Sequence, residues 1–329
     1  MTRSIDLGAQ LQRQVLETEQ QQVQAIVNAA QSDTVSTNNQ FVFFAAFDGT
    51  NNDLTNAGNV QNTNVAQLFQ QAQSAGQATP NLQAKYYPGP GAKGTLTRSS
   101  WLNTAVTQQV IDTADQAYQD FATESSAWLE KHPGGSVIAV LTSFSRGVAS
   151  AAIFTQILYK KGLIDPNAPD RVLLPPGQVG VSAGVIFDPV ATGVTVNLAF
   201  APNVSNIVDI RAQDEYRQLF KAADYSSQSC VMTIAMLGNH CDIGGGYDNG
   251  IAALTLQAAT AFFLKSGLPI GSVDASRVFA GVVSIAIHTE EVDDYGRPQW
   301  DVYLPGFESA VIKRPSPRLS GPKVVVERH

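Results

Sequence analysis

Cysteine is scarce in this chain, which has 329 residues and only two thiols, Cys230 and Cys241. Two cysteines are too few to build the disulfide framework of a small secreted domain. We predict that both thiols are reduced, and a single bridge between Cys230 and Cys241 is the alternative.

Long apolar runs and an apolar leader are also missing. No stretch approaches the roughly 18 uninterrupted apolar residues that a membrane-spanning helix needs. The first residues, MTRSIDLGAQLQRQ, lack the apolar segment of a secretory signal. We therefore expect synthesis in the cytoplasm and no membrane span, so that any export would need a dedicated machine. Peripheral contact with a membrane stays open.

Charge is sparse and unbalanced toward acid. Charged residues make up 15% of the chain, the formal net charge is −7 and the isoelectric point is near 5.1. A general nucleic-acid binder needs a basic face, so the composition argues against that class of function. What the chain does have is apolar content, since 44% hydrophobic residues are ample for one large α/β domain or two smaller ones.

The chain divides into three segments by composition. Residues 1–38 are Gln-rich, and apolar residues recur four apart from Leu7 to Val15, which predicts a helical N-terminal extension. This extension either packs on the surface of the domain or docks a partner. Residues 39–312 carry the apolar runs of an α/β domain, and residues 313–329 form a basic, Pro-containing C-terminal tail.

Short apolar runs alternate with helical patterns through the middle segment. The runs that predict strands are 41–47, 83–87, 136–142, 181–187, 231–237 and 282–287, and the patterns that predict helices include 63–75, 106–121 and 251–266. The first run is apolar on both faces, as in a central parallel strand covered by helices. The alternation predicts an α/β fold with a doubly wound, mostly parallel sheet and helices on both faces.

One serine lies where an apolar strand changes abruptly into a small-residue helix. The segment 143–147 (SFSRG) matches the G-x-S-x-G nucleophile elbow of serine hydrolases, except that Ser143 replaces the first glycine. In such a turn the serine hydroxyl points away from its own backbone. Ser145 is therefore a candidate nucleophile, and the alternative is a helix N-cap, the commonest role of a serine ahead of a helix.

Reactive side chains collect at the carboxyl ends of the predicted strands, where α/β sheets bind ligands. Besides Ser145, these side chains are Asp48, Asp188 and His240. The order Ser145, Asp188, His240 is the chain order of the α/β-hydrolase triad. An imidazole must take the proton of the serine and a carboxylate must orient the imidazole, so these roles fall to His240 and Asp188. The Asp-Gly-Thr turn at Asp48 favours a structural role.

The residues alone leave alternatives for both partners of the serine. Asp188 precedes Pro189 and could be a turn former, and His240 could be a histidine satisfied within the core. His288 follows the last predicted strand and could replace His240 as the base, while Asp242 could replace Asp188 as the acid. The sequence therefore predicts a Ser–His–Asp site without fixing all of its members.

Acyl transfer also needs hydrogen-bond donors aimed at the developing oxyanion. The N–H of Arg146, at the start of the elbow helix, is one candidate, and the N–H of Gly49 or Thr50, after the first predicted strand, is the other. The run Asp48–Asp53 lacks the alternating carboxylates of a calcium loop. We predict that the reaction needs no metal and no organic cofactor.

Five motifs of the chain, in order, resemble those of one family of hydrolases. They lie at 47–52 with 64–68 (FDGTNN and NVAQL), 143–148 (SFSRGV), 187–191 (FDPVA), 214–220 (DEYRQLF) and 238–247 (GNHCDIGGGY). The family is that of the α/β hydrolases that include the phospholipase (lipase) effectors of bacterial type VI secretion. The resemblance covers roughly residues 41 to 270, and it identifies 39–312 with the catalytic domain of the family.

The resemblance implies an α/β-hydrolase fold in which Ser145 is the nucleophile, Asp188 the acid and His240 the base. It also implies phospholipid esters as the substrate, delivery into a target cell as a toxin, a secretion-apparatus partner and a cognate immunity protein. The chain departs from the family pattern at Ser143 and Pro189, and we see no large C-terminal membrane-docking region. These departures concern the substrate more than the mechanism.

The sequence therefore predicts a serine ester hydrolase, a lipase or phospholipase of the A type that cleaves acyl esters and acts as an antibacterial effector. Two alternatives are kept. One is a soluble carboxylesterase that acts on small esters, and the other is a catalytically silent scaffold that serves as a binding or carrier module. The loop after Tyr87, with Trp101 beyond it, is predicted to form a lid or an acyl-chain wall.

Overall fold

The computed structural model describes most of the chain. The described residues are 2–5, 9–54, 62–94, 104–215, 217, 220–247, 250–278, 285, 287–290 and 320–323. Trp101 of the predicted lid, most of the strand predicted at 282–287 and most of the predicted tail lie outside these residues. All three members of the predicted triad lie inside them.

Strands and helices alternate along the described chain. Their bounds are β1 (Thr2–Ile5), α1 (Ala9–Ala29), β2 (Gln40–Phe47), α2 (Asn64–Ala78), β3 (Leu82–Tyr87), α3 (Thr104–Lys131), β4 (Ser136–Phe144), α4 (Gly147–Lys161), β5 (Leu163–Ile164), β6 (Val172–Leu174), β7 (Gly180–Phe187), β8 (Ile207–Ala212), β9 (Ala222–Asp224), β10 (Val231–Met236), α5 (His240–Gly244), α6 (Gly250–Lys265), β11 (Ile287–Glu290) and β12 (Ser320–Lys323). The α/β pattern predicted from the sequence is confirmed.

Six strands form one parallel sheet in the order β10-β8-β7-β4-β2-β3. From β2 the chain runs first to β3 on one side and then crosses back to β4 on the other side. The direction of winding therefore reverses at β2 and β4, and a ligand site is expected beyond the carboxyl ends of these two strands. This topology confirms the predicted doubly wound sheet of an α/β-hydrolase-like fold.

The two faces of the sheet are buried by different helices. Phe44 of β2 points to one face, where its ring meets Phe263 of α6 edge-on at 5.5 Å. Phe43 points to the other face, against Phe121 of α3 and Phe154 of α4. Because neighbours in a strand point to opposite faces, an unbroken apolar run requires cover on both. The prediction of helices on both faces is confirmed.

The N-terminal helix α1 belongs to the face that α6 covers. Val15 and Ile26 of α1 are fully buried, and the helix contacts α6 and the edge strand β10. Asn206 Nδ2 donates to the Ala29 carbonyl at 3.0 Å, which ties the end of α1 to the start of β8. The structure thus packs α1 on the domain, the first of the two interpretations given for residues 1–38.

Strand β8 is an interior strand that the sequence does not predict, because Asp209 and Arg211 interrupt its apolar pattern. In the structure these two side chains pair with each other, and the Thr233 hydroxyl donates to Asp209 at 3.0 Å. Burial raises the pKa of Asp209 to about 6, although the charge of Arg211 acts to lower it. The apolar pattern therefore fails to predict β8 because of this charged pair, although the strand packs like its apolar neighbours.

The strand predicted to end before His288 is wrong at that end, and most of 282–287 lies outside the described residues. The structure places His288 within β11, which pairs antiparallel with β1 and lies outside the central sheet. Ser4 and His288 stand opposite each other in this pairing. The N-terminal strand thus forms a small second sheet with the strand that carries His288.

Three properties of the described residues bear on the functional classes considered above. No disulfide joins Cys230 and Cys241, both of which lie within the described residues, and their reduced state stays a prediction. None of the described helices is both long and apolar enough to cross a bilayer. Within the described part of the chain, no group of three or more His, Cys, Asp or Glu side chains is arranged to hold a metal ion.

Candidate active site

Ser145 occupies a strained turn between β4 and α4. Its φ is 55°, in the left-handed region that residues other than glycine rarely adopt. The Ser145 N–H donates to the Phe187 carbonyl at 3.0 Å, and the Ser145 carbonyl accepts from the Val190 N–H at 3.2 Å. These bonds to the end of β7 and the residues after it hold the turn in place. A strained turn fixed by its surroundings is typical of a nucleophile elbow.

Close packing of this elbow requires a glycine at Gly147. A Cβ there would lie 2.5 Å from the carbonyl oxygens of both Phe47 and Asp48, because the first turn of α4 lies directly against the end of β2. Ser143, which replaces the other elbow glycine, lies within the regular strand β4 and needs no such freedom. Its hydroxyl is buried and has no hydrogen-bond partner among the described residues.

Asp188 follows β7, is fully buried and also has a left-handed backbone, with φ of 39°. Its N–H donates to the Ile210 carbonyl at 2.8 Å, and its Oδ1 accepts from the Ala212 N–H at 3.0 Å, so the end of β8 holds it. Its Oδ2 lies 2.6 Å from His240 Nδ1. We assign the shared proton to Nδ1 because a buried carboxylate facing it accepts. The structure thus brings two members of the predicted triad together.

His240 is the first residue of α5, and aromatic rings enclose its imidazole. The ring centroid of Phe144 lies 4.4 Å away, and that of Phe220 lies 4.9 Å away and nearly perpendicular. Burial lowers the pKa of His240 below its usual value, although the hydrogen bond and charge of Asp188 act to raise it. The imidazole is therefore neutral near pH 7, the form that can accept a proton.

The Phe144 ring connects the elbow to the imidazole. Ser145 follows Phe144 in the chain, and the Phe144 ring contacts His240. Ser145 and His240 are both described residues, and no hydrogen bond joins the Ser145 hydroxyl to His240 in the structure. Catalytic hydrogen bonds are often formed only when substrate binds. The structure thus places the serine beside the Asp188–His240 pair without forming the complete relay.

A buried ion pair supports the backbone of His240. Glu215 Oε2 accepts from the His240 N–H at 3.3 Å and pairs with Arg217 at 2.7 Å. The Arg217 guanidinium lies 3.4 Å from the centroid of the Phe220 ring. Burial acts to raise the pKa of Glu215, but the hydrogen bonds and charge of Arg217 outweigh it and hold this pKa below its usual value. Glu215 is therefore ionised near the imidazole.

The sequence assigns no role to Glu215, which lies in the motif at 214–220. The signal available there is a carboxylate and a guanidinium two residues apart in a loop, where the two can pair. Only the fold brings that pair to His240, because the contact crosses from the loop after β8 to the start of α5.

Asp242 and His288, the two alternative triad members, contact each other. His288 Nδ1 lies 2.7 Å from Asp242 Oδ1, and the His288 N–H donates to Asp242 Oδ2 at 2.9 Å. Asp188 already holds the position at Nδ1 of His240. The structure therefore forms two separate Asp–His pairs, and neither alternative residue replaces its counterpart.

Asp48 is the structural centre of the loop after β2. Its carboxylate accepts from the Gly49 N–H at 2.7 Å, the Thr63 hydroxyl at 2.7 Å and the Tyr86 hydroxyl at 2.6 Å. Burial raises the pKa of Asp48 to about 6, while these hydrogen bonds act to lower it. These three hydrogen bonds agree with the structural role that the Asp-Gly-Thr turn predicts for Asp48.

The loop that carries Gly49 and Thr50 lies against the elbow. A Cβ on Gly49 would be 2.8 Å from Phe144 Cδ1 and 3.0 Å from Ser145 Cβ. The Gly49 N–H is engaged by Asp48. The Thr50 N–H, in contrast, has no hydrogen-bond partner in the described part of the chain. Of the two amides of this loop considered for the oxyanion, those of Gly49 and Thr50, that of Thr50 is the one available.

The side chain of Arg146 fastens this loop to the elbow. Its Nη1 donates to Thr50 Oγ1 at 3.0 Å, and its Nε donates to the Thr192 carbonyl at 2.7 Å. Burial lowers the pKa of Arg146 to about 10, so the guanidinium remains charged at neutral pH. Hydrogen bonds from a charged donor are the stronger ones, so Thr50 is held firmly next to the start of α4.

The loop after Tyr87, which is predicted to be the first part of a lid, packs on the loop that carries Gly49 and Thr50. The Gly89 N–H donates to the Asn52 carbonyl at 3.0 Å, and a Cβ on Gly89 would lie 1.6 Å from the Gly49 carbonyl oxygen. Residues 88–91 are therefore tied to the loop after β2. Trp101 lies outside the described residues, and its part in a lid stays a prediction.

Comparisons with known proteins do not identify a family for the chain. No protein-family model and no curated protein matches it. Among solved structures, an uncharacterized protein from Pseudomonas aeruginosa matches with a TM-score of 0.49 and 16% identity, over 81% of this chain and 51% of that one. The Tle1 effector bound to the VgrG spike of the type 6 secretion system matches with a TM-score of 0.41 and 18% identity, over 64% and 52%.

A cutinase-like protein from Cryptococcus sp. also matches, with a TM-score of 0.27 and 13% identity, over 71% of this chain and 96% of that one. The chain spans about half of the length of the Pseudomonas protein and of the Tle1 effector. At such identities and TM-scores, these likenesses carry no conclusion about the chemistry of the chain.

Proposed function

We propose that the chain is a serine ester hydrolase whose catalytic residues are Ser145, His240 and Asp188. The observation that carries the proposal is a serine with φ of 55° at a strand–turn–helix elbow, beside a buried Asp–His pair joined at 2.6 Å. A serine that only caps a helix needs no strained backbone, and a core histidine needs no buried carboxylate. Together the features match what acyl transfer requires.

In the proposed reaction, Ser145 Oγ attacks the ester carbonyl while His240 Nε2 takes its proton. His240 then gives that proton to the leaving alcohol, and water repeats the sequence on the acyl-enzyme. Asp188 holds the ring through Nδ1 and stabilises the imidazolium. The Glu215 carboxylate adds a second negative charge near the ring, which favours the same charged form.

For the oxyanion, we propose the N–H groups of Arg146 and Thr50. Arg146 is the N-cap residue of α4, and backbone N–H groups at the start of a helix point outward along the helix dipole. Gly49 is left out because its N–H donates to Asp48. Each such donor is worth about 3 kcal/mol of barrier reduction when it is aimed at the developing charge.

For the substrate, we propose acyl esters of phospholipids, cleaved as by a lipase or a phospholipase of the A type. This proposal rests on the five motifs that resemble the effector family. The same resemblance supports an antibacterial role, dedicated secretion into a target cell, binding to a secretion-apparatus component and binding to a cognate immunity protein. Peripheral contact with a membrane would bring the enzyme to its substrate.

Labelling with a fluorophosphonate probe tests the chemistry without assuming a substrate. The wild-type protein should be modified at Ser145, and Ser145→Ala should not be modified. Ser143→Ala is the matched control, because it removes a hydroxyl two residues away on the same elbow and should leave labelling intact. An unlabelled wild type would favour the catalytically silent scaffold instead.

Product analysis tests the substrate. The purified protein is incubated with vesicles of defined phospholipids, and released fatty acids and lysophospholipids are identified by mass spectrometry. Acyl release from phospholipids supports the proposal. Hydrolysis of acetyl and butyryl esters with no release from vesicles would favour the soluble carboxylesterase.

A further inference from the structure

The second Asp–His pair lies beside the proposed base, and the proposed reaction does not use it. Asp242 is fully buried, whereas the side chain of His288 is 17% exposed, and the two meet at 2.7 Å. The Tyr247 ring lies over the His288 imidazole with centroids 4.2 Å apart. The Tyr247 hydroxyl accepts from Asn239 Nδ2 at 3.4 Å. The pair is therefore built into the segment that surrounds His240.

Asp242 determines where α5 begins. Its Oδ2 accepts from the Asn239 N–H at 3.0 Å, and the Asn239 side chain accepts in return from the N–H groups of Cys241 and Asp242 at 3.0 and 3.1 Å. This is a capping box. A helix of five residues cannot hold its own first turn, so the box defines its start. His240 is the first residue after that cap.

His288 in turn orients Asp242. Its N–H and its Nδ1 reach the two different oxygens of the Asp242 carboxylate, so both the position and the rotation of that carboxylate are specified. A buried carboxylate that lost the Nδ1 donor would turn toward another donor, because an unsatisfied buried charge is costly. Such a turn would pull Oδ2 away from the Asn239 N–H and loosen the cap.

We infer that His288 is a positioning residue for His240, acting through Asp242 and the cap of α5. The inference rests on the proposed function, since it takes His240 as the base. The contact of His288 that carries the inference is the one with Asp242, two residues after His240. Its effect is to keep the His240 ring where Nδ1 meets Asp188, because displacements of about 1 Å in a catalytic group can lower rates on the order of a hundredfold.

Two substitutions of similar size separate the hydrogen bond from the volume of the side chain. His288→Asn keeps an N–H donor on the atom that corresponds to Nδ1, whereas His288→Leu removes it. The matched control is His132→Leu, because His132 lies after α3 and its ring stacks on Trp128, away from the site. If His288→Leu fails to fold, His288→Gln is used instead, because the amide of glutamine lies one carbon farther from the backbone than Nδ1 of histidine does.

We expect His288→Leu to lower kcat on a p-nitrophenyl ester at least about tenfold, with KM changed by less than about threefold. His288→Asn should stay within about threefold of the wild type, and so should His132→Leu. Melting temperatures are measured for all variants. Wild-type kcat in His288→Leu would overturn the inference, and so would equal losses in the Asn and Leu variants when both melt like the wild type.

A spectroscopic readout does not depend on activity. The two short Asp–His contacts should give two far-downfield proton NMR signals, and the one missing in His240→Ala belongs to His240. This signal should persist in His288→Asn and disappear or shift in His288→Leu. The wild type could show this pattern of His240 signals and yet be neither labelled by the fluorophosphonate probe nor able to hydrolyse esters. In that case the proposed function fails and the positioning role stands. An unchanged signal in His288→Leu overturns the positioning role alone.

Discussion

Glu19 links the N-terminal helix to the segment that precedes the proposed base, and its protonation can be tested directly. The carboxyl is 1% exposed, and its Oε2 accepts from the Leu237 N–H at 3.2 Å. Burial raises the pKa of Glu19 from its ordinary value of 4.5 to about 8. The hydrogen bond from Leu237 lowers it and the charge of Asp214 raises it, both to a smaller extent. Glu19 is therefore protonated in the folded protein at neutral pH.

The folded protein holds this proton more tightly than the unfolded chain does. As the pH rises through the range between 4.5 and about 8, the unfolded chain releases the proton while the folded protein keeps it, so the free energy of unfolding falls. One pKa unit corresponds to about 1.4 kcal/mol. Between about pH 5 and about pH 8, Glu19 therefore removes roughly 3 kcal/mol of stability.

Glu19→Gln keeps an oxygen that accepts from Leu237 and removes the titration. We expect its stability relative to the wild type to rise by roughly 3 kcal/mol between about pH 5 and about pH 8, measured by urea unfolding at a series of pH values. Glu17→Gln is the control, because Glu17 is exposed on the same helix and should follow the wild type. Asp48 and Asp209 titrate in all three proteins and cancel. Parallel curves for Glu19→Gln and the wild type would refute the burial of this carboxyl.

Three further outcomes follow from the site. Asp188→Asn should lower kcat at least about a thousandfold, because an amide favours the wrong tautomer of His240; a small loss in steady-state ester hydrolysis would contradict the assigned acid. Glu215→Gln should move the acid limb of the pH profile of kcat/KM to lower pH, since the Glu215 charge raises the pKa of His240. An unchanged acid limb would show that this charge does not affect the pKa of His240. Ser143→Ala should be neutral or stabilising by about 1 kcal/mol in urea unfolding, because it removes a buried hydroxyl without a partner; a clear loss of stability would reveal a hydrogen bond at that hydroxyl.

The central sheet can be predicted from the sequence because its strands are continuous apolar runs. The residues that follow β2, β4 and β7, and the histidine that starts α5, are then the reactive ones to consider, since parallel strands end at one edge. Strand β8 is not predicted by this reasoning, because Asp209 and Arg211 interrupt its apolar pattern and pair with each other inside the fold. Hydrophobic pattern cannot show which buried charges have partners.

The surroundings of His240 could be predicted only in part. The spacing of Asn239 and Asp242 is that of a capping box, so the start of α5 could have been read from the sequence. The contact between Asp242 and His288 spans 46 residues and depends on the pairing of two short polar strands, β1 and β11. Such strands have no apolar run to identify them, and their partner is set by the tertiary fold.

The backbone of Ser145 has a consequence for how this chain could evolve. Glycine adopts φ of 55° without the penalty of about 1 kcal/mol that other residues incur, so Ser145→Gly should melt above Ser145→Ala. A descendant that exchanged its nucleophile for glycine would then lose the proposed activity and yet fold more stably than Ser145→Ala does. Selection for folding alone would favour that exchange and resist its reversal, so only a continuing demand for the reaction can keep the serine in place.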